Sequence, residues 1–427
     1  MTVYLKNATY VDWRSLEFKR THLAVSPEKD HPFRFLESVP SEDGLANDDV
    51  IVDCEDKLVT KSFACGHHHI YSALARGMPP PEKVPENFHD ILKYIWWRLD
   101  KSLDTEIIEA SALVSALHCA RNGVTFVIDH HASSHAVENS LTTIAKAFDR
   151  IGISHLLCYE LSDRDGKEPK EKGLEETENY LKAGNQGHVG LHASFTVGDD
   201  LLKQAVWLAE EYGTGIHVHV AEDTVDQDCC LRDHGKRVVE RYQDAGVLNL
   251  PKSILAHCIH LDDHEKRLIR ELKVWVVENI ESNQNNNVGV TGYKDITGNV
   301  MLGTDGMHSD MLRSAKAAFL TGQGTEGLEM AEIYERFRKV HAYIHEHGFS
   351  GDGENNLVIL DYDSPTTIHQ DNFLGHFVYG IDASHVQSVI SSGKLIVKNR
   401  KLLTGDEADI LRFSREMGNR LWHKMRS

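Results

Sequence analysis

The chain has 427 residues, 41% of them hydrophobic and 26% charged, a composition that buries a large core without disulfides. Its 65 acidic and 46 basic residues give a formal charge of −19, and no lysine- or arginine-rich run supplies the basic face that nucleic acid or an anionic membrane surface requires. The opening MTVYLKNATYVDW reads as an alternating strand rather than a secretory signal, and no apolar stretch is long enough to span a bilayer.

In chain order, VYLKNATYVD (3–12) and VIVDCEDKLV (50–59) alternate apolar and polar residues and predict antiparallel strands with one covered face, separated by a polar, turn-rich segment. NNLVILDYD (355–363) and VQSVISSGKLIVKNRKLL (386–403) have the same texture, the second as a hairpin turning at Ser392-Gly393. The two ends therefore predict one small β domain, with residues 1–59 and 351–427 as its halves and a terminal helix after the last strand.

The middle, 60–350, alternates short apolar runs with helical patterns. The runs are SFACGH (62–67), VTFVIDH (124–130), ISHLLCYE (153–160), HVGLHASF (188–195), GIHVHVAE (215–222), SILAHC (253–258), VWVVEN (274–279) and NVMLGTD (299–305). Between them ENFHDILKYIWWRLDKSL, EIIEASALVSALHCARNG, SLTTIAKAFDRIG, DLLKQAVWLAEEYG and HGKRVVERYQDAG read as helices, several closed by glycine. Eight strands separated by helices predict an α/β fold, a (β/α)8 TIM-like barrel.

Active-site residues of such barrels sit at the C-terminal strand ends. Here those ends carry His67-His68-His69, Asp129-His130-His131, His192, His217-Val-His219 with Glu222 just beyond, His257 and Asp305. Residues i and i+2 of a strand share a face. His67 and His69 thus point to the barrel axis and His68 away. With His219 and Asp305 they make a His3Asp set suited to a divalent ion. Such an ion lowers the pKa of bound water to about 7. Glu222 is placed to carry a proton to the leaving group, His257 to orient the water or polarise the bond, and Asp305 to accept a proton near the metal.

These motifs resemble the amidohydrolase superfamily, within it the branch of cytosine, guanine and methylthioadenosine deaminases and triazine hydrolases, and most narrowly the SsnA-like aminohydrolases. GHHHIYSALARGM, VIDHHASS, CYELSDRDG, GLHASFT, HVHVAED, ILAHCIHLD, ESNQNNNVGV and LGTDGMHSDM carry the resemblance. It implies metal ligation by His67, His69, His219 and Asp305, proton shuttling by Glu222, the strand-six role for His257, substrate contact by His192, and a β-sandwich made by the terminal strands. Binuclear members bridge two metals through a strand-four lysine. HVGLHASF has none, so one ion is expected: zinc first, with iron and manganese also compatible. Three departures stand out. Lys61-Ser62 replaces the family's Pro-Gly before strand one, and Ser72 occupies the position where purine deaminases often carry a base-reading Gln. The stretch EIYERFRKVHAYIHEHGFSGDGEN replaces the usual alanine-rich helices, so remodelling is expected there.

Other residues divide between structural and functional readings. His217 shares a face with His219 one layer deeper and reads as a satisfied core histidine, while His130 and His131 either shape the pocket or cap the barrel. Of Trp96 and Trp97, at least one reads as core. Arg164, in SDRDG, reads as a charged anchor for a polar substrate because its loop lies at the catalytic end. Asn283 is expected to approach substrate by the resemblance, although Asn-rich loops are ordinarily turns.

The expected function is a hydrolase in which metal-bound hydroxide attacks an sp2 carbon, releasing ammonia from a heterocyclic or related C–N substrate. A dechlorinating hydrolase on the same scaffold is the alternative, and a catalytically silent metal- or ligand-binding barrel the reading of another class. Seven scattered cysteines fit a reducing cytoplasm. The expected partner is a small molecule, and the resemblance implies a homodimer.

Overall fold

The computed structural model describes residues 2–28, 32–41 and 44–426. The first sheet contains β1 (Val3–Val11), β2 (Phe18–Val25), β3 (Phe33–Leu36), β4 (Val50–Asp53) and β5 (Leu58–Lys61) from one end of the chain. The barrel strands follow as β6 (Phe63–His68), β7 (Val124–His131), β8 (Ser154–Leu161), β9 (Val189–Ala193), β10 (Ile216–Val220), β11 (Ile254–His257), β12 (Trp275–Glu278) and β13 (Val300–Leu302). The chain returns to the first sheet with β14 (Leu357–Leu360), β15 (Val386–Ser391), β16 (Lys394–Lys398) and β17 (Lys401–Leu402), then ends in a helix over Glu407–Arg426.

The terminal strands form one mixed sheet in the order β17-β16-β15-β14-β5-β1-β2-β3, with β4 paired to β1. Val3, Leu5, Val25, Val52, Val59, Leu357, Ile359, Ile390 and Leu395 share one core. The hairpin forms where expected, with Ser392 at φ 47° and Gly393 at φ 77°, the two left-handed residues its tight turn demands. The N-terminal pairing differs from the expectation. β4 and β5 run parallel to β1, and the antiparallel partner of β1 is β2, inside the segment read as turns. Only the end of β2 is buried, so most of it carries no apolar signal.

The eight central strands form a parallel sheet in sequence order, β6 to β13. It closes where β13 meets β6: the Thr304 and Asp305 N–H groups donate to the His67 carbonyl at 3.0 and 3.1 Å, beside a parallel bridge between His68 and Asp305. A side chain on Gly303 would collide with Asn279 and stand 2.9 Å from that carbonyl, so the seam requires glycine. Closure thus brings the first and last strand ends together by backbone hydrogen bonds.

Helical patterns hold with two differences. ENFHDILKYIWWRLDKSL is helical from Phe88 to Ser102 but widens to a π-helix over Leu92–Trp96. HGKRVVERYQDAG is not one helix. A helix over Thr224–His234 ends at Gly235 (φ 66°), and a second begins at Val238. The region expected to be remodelled is a helix over Met330–Glu346 and a tight loop. That loop explains Lys61. The buried Lys61 Nζ lies 2.9 Å from Asp352 Oδ1 and donates to the carbonyls of Asp352 and Gly353, while Asp352 Oδ2 sits 2.7 Å from His341 Nδ1. A buried ion pair replaces a Pro-Gly turn at the junction of the two sheets. Among the described residues, no helix is long and apolar enough to cross a membrane.

Candidate active site

The C-terminal strand ends converge on a cavity open to solvent, lined by His69, Ser72, Glu160, Arg164, His192, His219, Glu222, His257 and Asp305 among others. Three of those ends leave the sheet in the left-handed region without glycine: Ala221 at φ 45°, His257 at φ 72° and Asp305 at φ 50°. Such backbone costs roughly 1–3 kcal/mol per residue and clusters at functional sites. Here it is held by Ala221 N donating to Asp226 Oδ2 (3.0 Å), Cys258 N to the Val220 carbonyl (2.9 Å) and Gly306 N to Asp305 Oδ1 (2.6 Å).

The imidazoles are oriented by what lies behind them. His69 Nδ1 meets the His130 carbonyl at 2.6 Å, and His219 Nδ1 meets the His192 carbonyl at 2.8 Å. A carbonyl only accepts, so each Nδ1 carries hydrogen and each Nε2 presents a lone pair. Those two Nε2 atoms lie 3.1 Å apart. Two lone pairs at that distance repel unless a cation lies between them, and the edge of a tetrahedron with bonds of about 2.05 Å is about 3.3 Å. His67 Nδ1 lies 2.9 Å from His217 Nε2, while His67 Nε2 is buried without a partner. The ligand atoms of His67, His69 and His219 all lie within 4.8 Å of one another, as do those of His67, His257 and Asp305. Burial, reinforced by neighbouring imidazoles, pushes His67 and His219 far below the ordinary histidine pKa. They are neutral, the ligating form. The donor set fits a divalent ion. His68 points elsewhere, its Nε2 3.0 Å from Ser309 Oγ.

Asp305 Oδ1 lies 3.4 Å from His69 Nε2, and Oδ2 3.6 Å from His257 Nε2. Burial acts to raise its pKa, but the His69 and His257 rings hold the carboxyl below the ordinary range. Glu222 behaves oppositely. Burial, with Asp305 nearby, pushes it up to about 7 against the pull of His257. Two carboxyls in one cavity are thus split, one ionised and one able to hold a proton near neutrality, the arrangement that assigns acid and base roles. Glu222 Oε2 lies 3.5 Å from His257 Nε2, and Asn286 Nδ2 donates to Oε1 at 3.3 Å. His257 Nδ1 is held by Asn283 Oδ1 at 2.8 Å.

His192 and Ser72 both reach the cavity wall. Thr196 Oγ1 donates to the Ala193 carbonyl and sits 2.6 Å from His192 Nδ1, which leaves His192 Nε2 as an acceptor. Ser72 Oγ donates to the His69 carbonyl at 2.8 Å. Asn283 lies behind His257 rather than on the wall; Ser282, Asn285 and Asn286 line it instead. Arg164 lines the cavity but is buried against Glu160, Asp100 and Asp165. His217 is buried as expected, yet it is the partner that fixes His67. His130 Nε2 faces the Leu191 and His217 carbonyls at 3.2 and 3.1 Å, and its Nδ1 lies 3.2 Å from Glu160. The sequence motifs give no role to Glu160 or Phe195 and show Asn286 only within an Asn-rich run of turn character. Glu160 ends the third barrel strand and could have been found by position alone.

Comparison with known proteins agrees with this geometry. Residues 58–396 match the amidohydrolase family. A 5′-deoxyadenosine deaminase of Methanopyrus kandleri is 31% identical over 350 residues, 76% of this chain and 78% of that protein. A 5-methylthioadenosine/S-adenosylhomocysteine deaminase of Caldanaerobacter subterraneus subsp. tengcongensis is 28% identical over 383 residues, 84% and 85% of the two chains. An adenosine deaminase from Xanthomonas campestris, solved with bound zinc, superposes with a TM-score of 0.81 at 18% identity, covering 98% of each chain. The chain belongs to the amidohydrolase family, as a metal-dependent aminohydrolase that acts on C–N bonds.

Proposed function

We propose that this aminohydrolase deaminates an adenine-type ring in a small nucleoside, with one zinc ion held by His67, His69, His219 and Asp305. The observation that carries the reading is the pair of lone-pair Nε2 atoms of His69 and His219 at 3.1 Å, beside an orphaned His67 Nε2 and split carboxyls. The similarity to a 5′-deoxyadenosine deaminase supports the substrate class, and the absence of lysine from β9 supports a single ion.

When bound, the ion acidifies a water and makes it a nucleophile near neutral pH. The chain's own residues do the rest. Asp305, ionised, takes the proton of the attacking water. Glu222, protonated near neutrality, gives its proton to the ring nitrogen as the new C–O bond forms. The C–N bond to the amino group then breaks, the proton held by Asp305 passes to the departing nitrogen to give ammonia, and the hydroxyl left on the carbon returns a proton to Glu222 as the C=O bond forms. His257, fixed by Asn283, orients the oxygen under attack. His192 Nε2 and Ser72 are substrate contacts, and Asn283 is a positioning residue.

We place the domain division near 59/60, within β5 (Leu58–Lys61), and at 350/351. Unpaired cysteines throughout the described residues support a cytoplasmic setting, and a homodimer belongs to the same proposal. Ammonia release from 5′-deoxyadenosine by zinc-loaded protein, lost on chelation and restored by zinc, tests the function. Chloride release from a chlorinated heterocycle without ammonia release from any aminated one would favour the dechlorinating alternative.

A further inference from the structure

Glu160 and Arg164 stand on the cavity wall beside the aromatic residues, the Arg164 guanidinium 5.4 Å from the centre of the Trp97 ring. A basic side chain there invites assignment as an anchor for a substrate anion, but its surroundings argue otherwise. Arg164 Nη1 donates to Glu160 Oε1 at 2.8 Å, Nε to Asp165 Oδ2 at 3.3 Å, and Nη2 to Asp100. All three guanidinium nitrogens already address carboxylates. A substrate carboxylate would be the fourth on a single guanidinium, in a buried setting where like charges repel strongly.

Glu160 is the more available group. Each carboxylate oxygen can accept two hydrogen bonds. Oε1 takes one from Arg164, and Oε2 lies 3.2 Å from His130 Nδ1, which makes no hydrogen bond to it. At least one acceptor position on each oxygen remains. The carboxylate is held by Arg164, which Asp100 and Asp165 fix in turn. A fixed acceptor needs no reordering when a donor arrives.

We propose that Glu160 is a specificity-determining residue: it selects substrates that present O–H or N–H donors to the wall made by the third barrel strand, and it rejects substrates that carry a carboxylate there. This rests on the aminohydrolase reading of the cavity and narrows it to uncharged, donor-bearing nucleoside-like compounds.

The test uses a nearly isosteric pair, the 5′-carboxamide and the 5′-carboxylate of adenosine, on zinc-loaded protein. Binding is read by quenching of the tryptophans on the wall, and turnover by ammonia. In the wild type the carboxamide binds roughly tenfold or more tighter than the carboxylate. Glu160→Gln brings the two within about threefold. Asp100→Asn, which removes a charge from the same guanidinium and leaves the wall acceptor in place, narrows the gap in part and serves if Glu160→Gln fails to fold. Equal or tighter carboxylate binding by the wild type, a gap unmoved in both variants, or no binding of either compound overturns the proposal. Ammonia release without preference overturns Glu160's role alone. Selective binding that responds to the variants, with no ammonia from either compound, leaves Glu160's role standing and sinks the deaminase reading.

Discussion

His217→Leu tests whether the metal centre depends on the layer beneath it. His67 and His217 are both fully buried, and among the described residues the 2.9 Å contact between His67 Nδ1 and His217 Nε2 is the only hydrogen bond at His67 Nδ1. Leucine fills most of the volume and cannot accept. The His67 Nδ1–H would then be buried without a partner, at a cost of about 1–3 kcal/mol. Moving the hydrogen to Nε2 would relieve it but would remove the lone pair from the centre. Either way ligation by His67 weakens. Losing such a partner typically lowers metal affinity 10- to 100-fold, which is about 1.4–2.7 kcal/mol. Competition with a chromophoric chelator measures the zinc dissociation constant directly. His217→Gln, which offers a carbonyl oxygen, recovers part of the affinity. A leucine variant that folds and binds zinc as tightly as the wild type would refute the reasoning.

Three further outcomes follow from the same geometry. Glu222→Gln keeps its contact with Asn286 but cannot exchange a proton, so kcat falls about 10²- to 10⁴-fold while zinc content stays constant; an unchanged kcat in a metal-replete variant would remove Glu222 from the chemistry. Asp352 titrates at about 2 in the folded chain, below its ordinary 3.8, because His341 and Lys61 outweigh burial; a depressed carboxyl contributes stability that is complete above about pH 4 and is lost as pH falls toward 2, so chemical denaturation of Asp352→Asn should show a flatter pH slope in that window than the wild type. Gly303→Ala drives a methyl group toward Asn279 and the His67 carbonyl at the barrel seam, and thermal melts and zinc analysis should both show loss; a variant with wild-type melting temperature and full metal would mean the seam has slack.

The barrel is legible in the sequence because its strands, buried on both faces, appear as continuous apolar runs, and because the two-residue strand period separates His67 and His69 from His68. The terminal sheet is less legible. Whether β4 and β5 run with or against β1 depends on partners far away in the chain, and β2 hides because Lys19 and Arg20 face solvent. The site shows the same division. Motifs at strand ends were visible one by one, whereas Arg164's engagement depends on Asp100, 64 residues earlier. Asn283 and Asn286 are one helical turn apart in a short segment after β12. Which of them meets Glu222 and which meets His257 is set by helix phase and by the tilt of the strand before it, and neither is written in local sequence. Lys61 looked like a missing turn until Asp352 and His341 supplied its partners.

The most direct measurement is metal content per chain by elemental analysis, on wild type and on the His67→Ala/His69→Ala double variant, both purified without an affinity tag. The account predicts about one divalent ion per wild-type chain and none in the variant. Two ions in the wild type would contradict the single-ion centre, and equal content in both proteins would contradict ligation at the first barrel strand altogether.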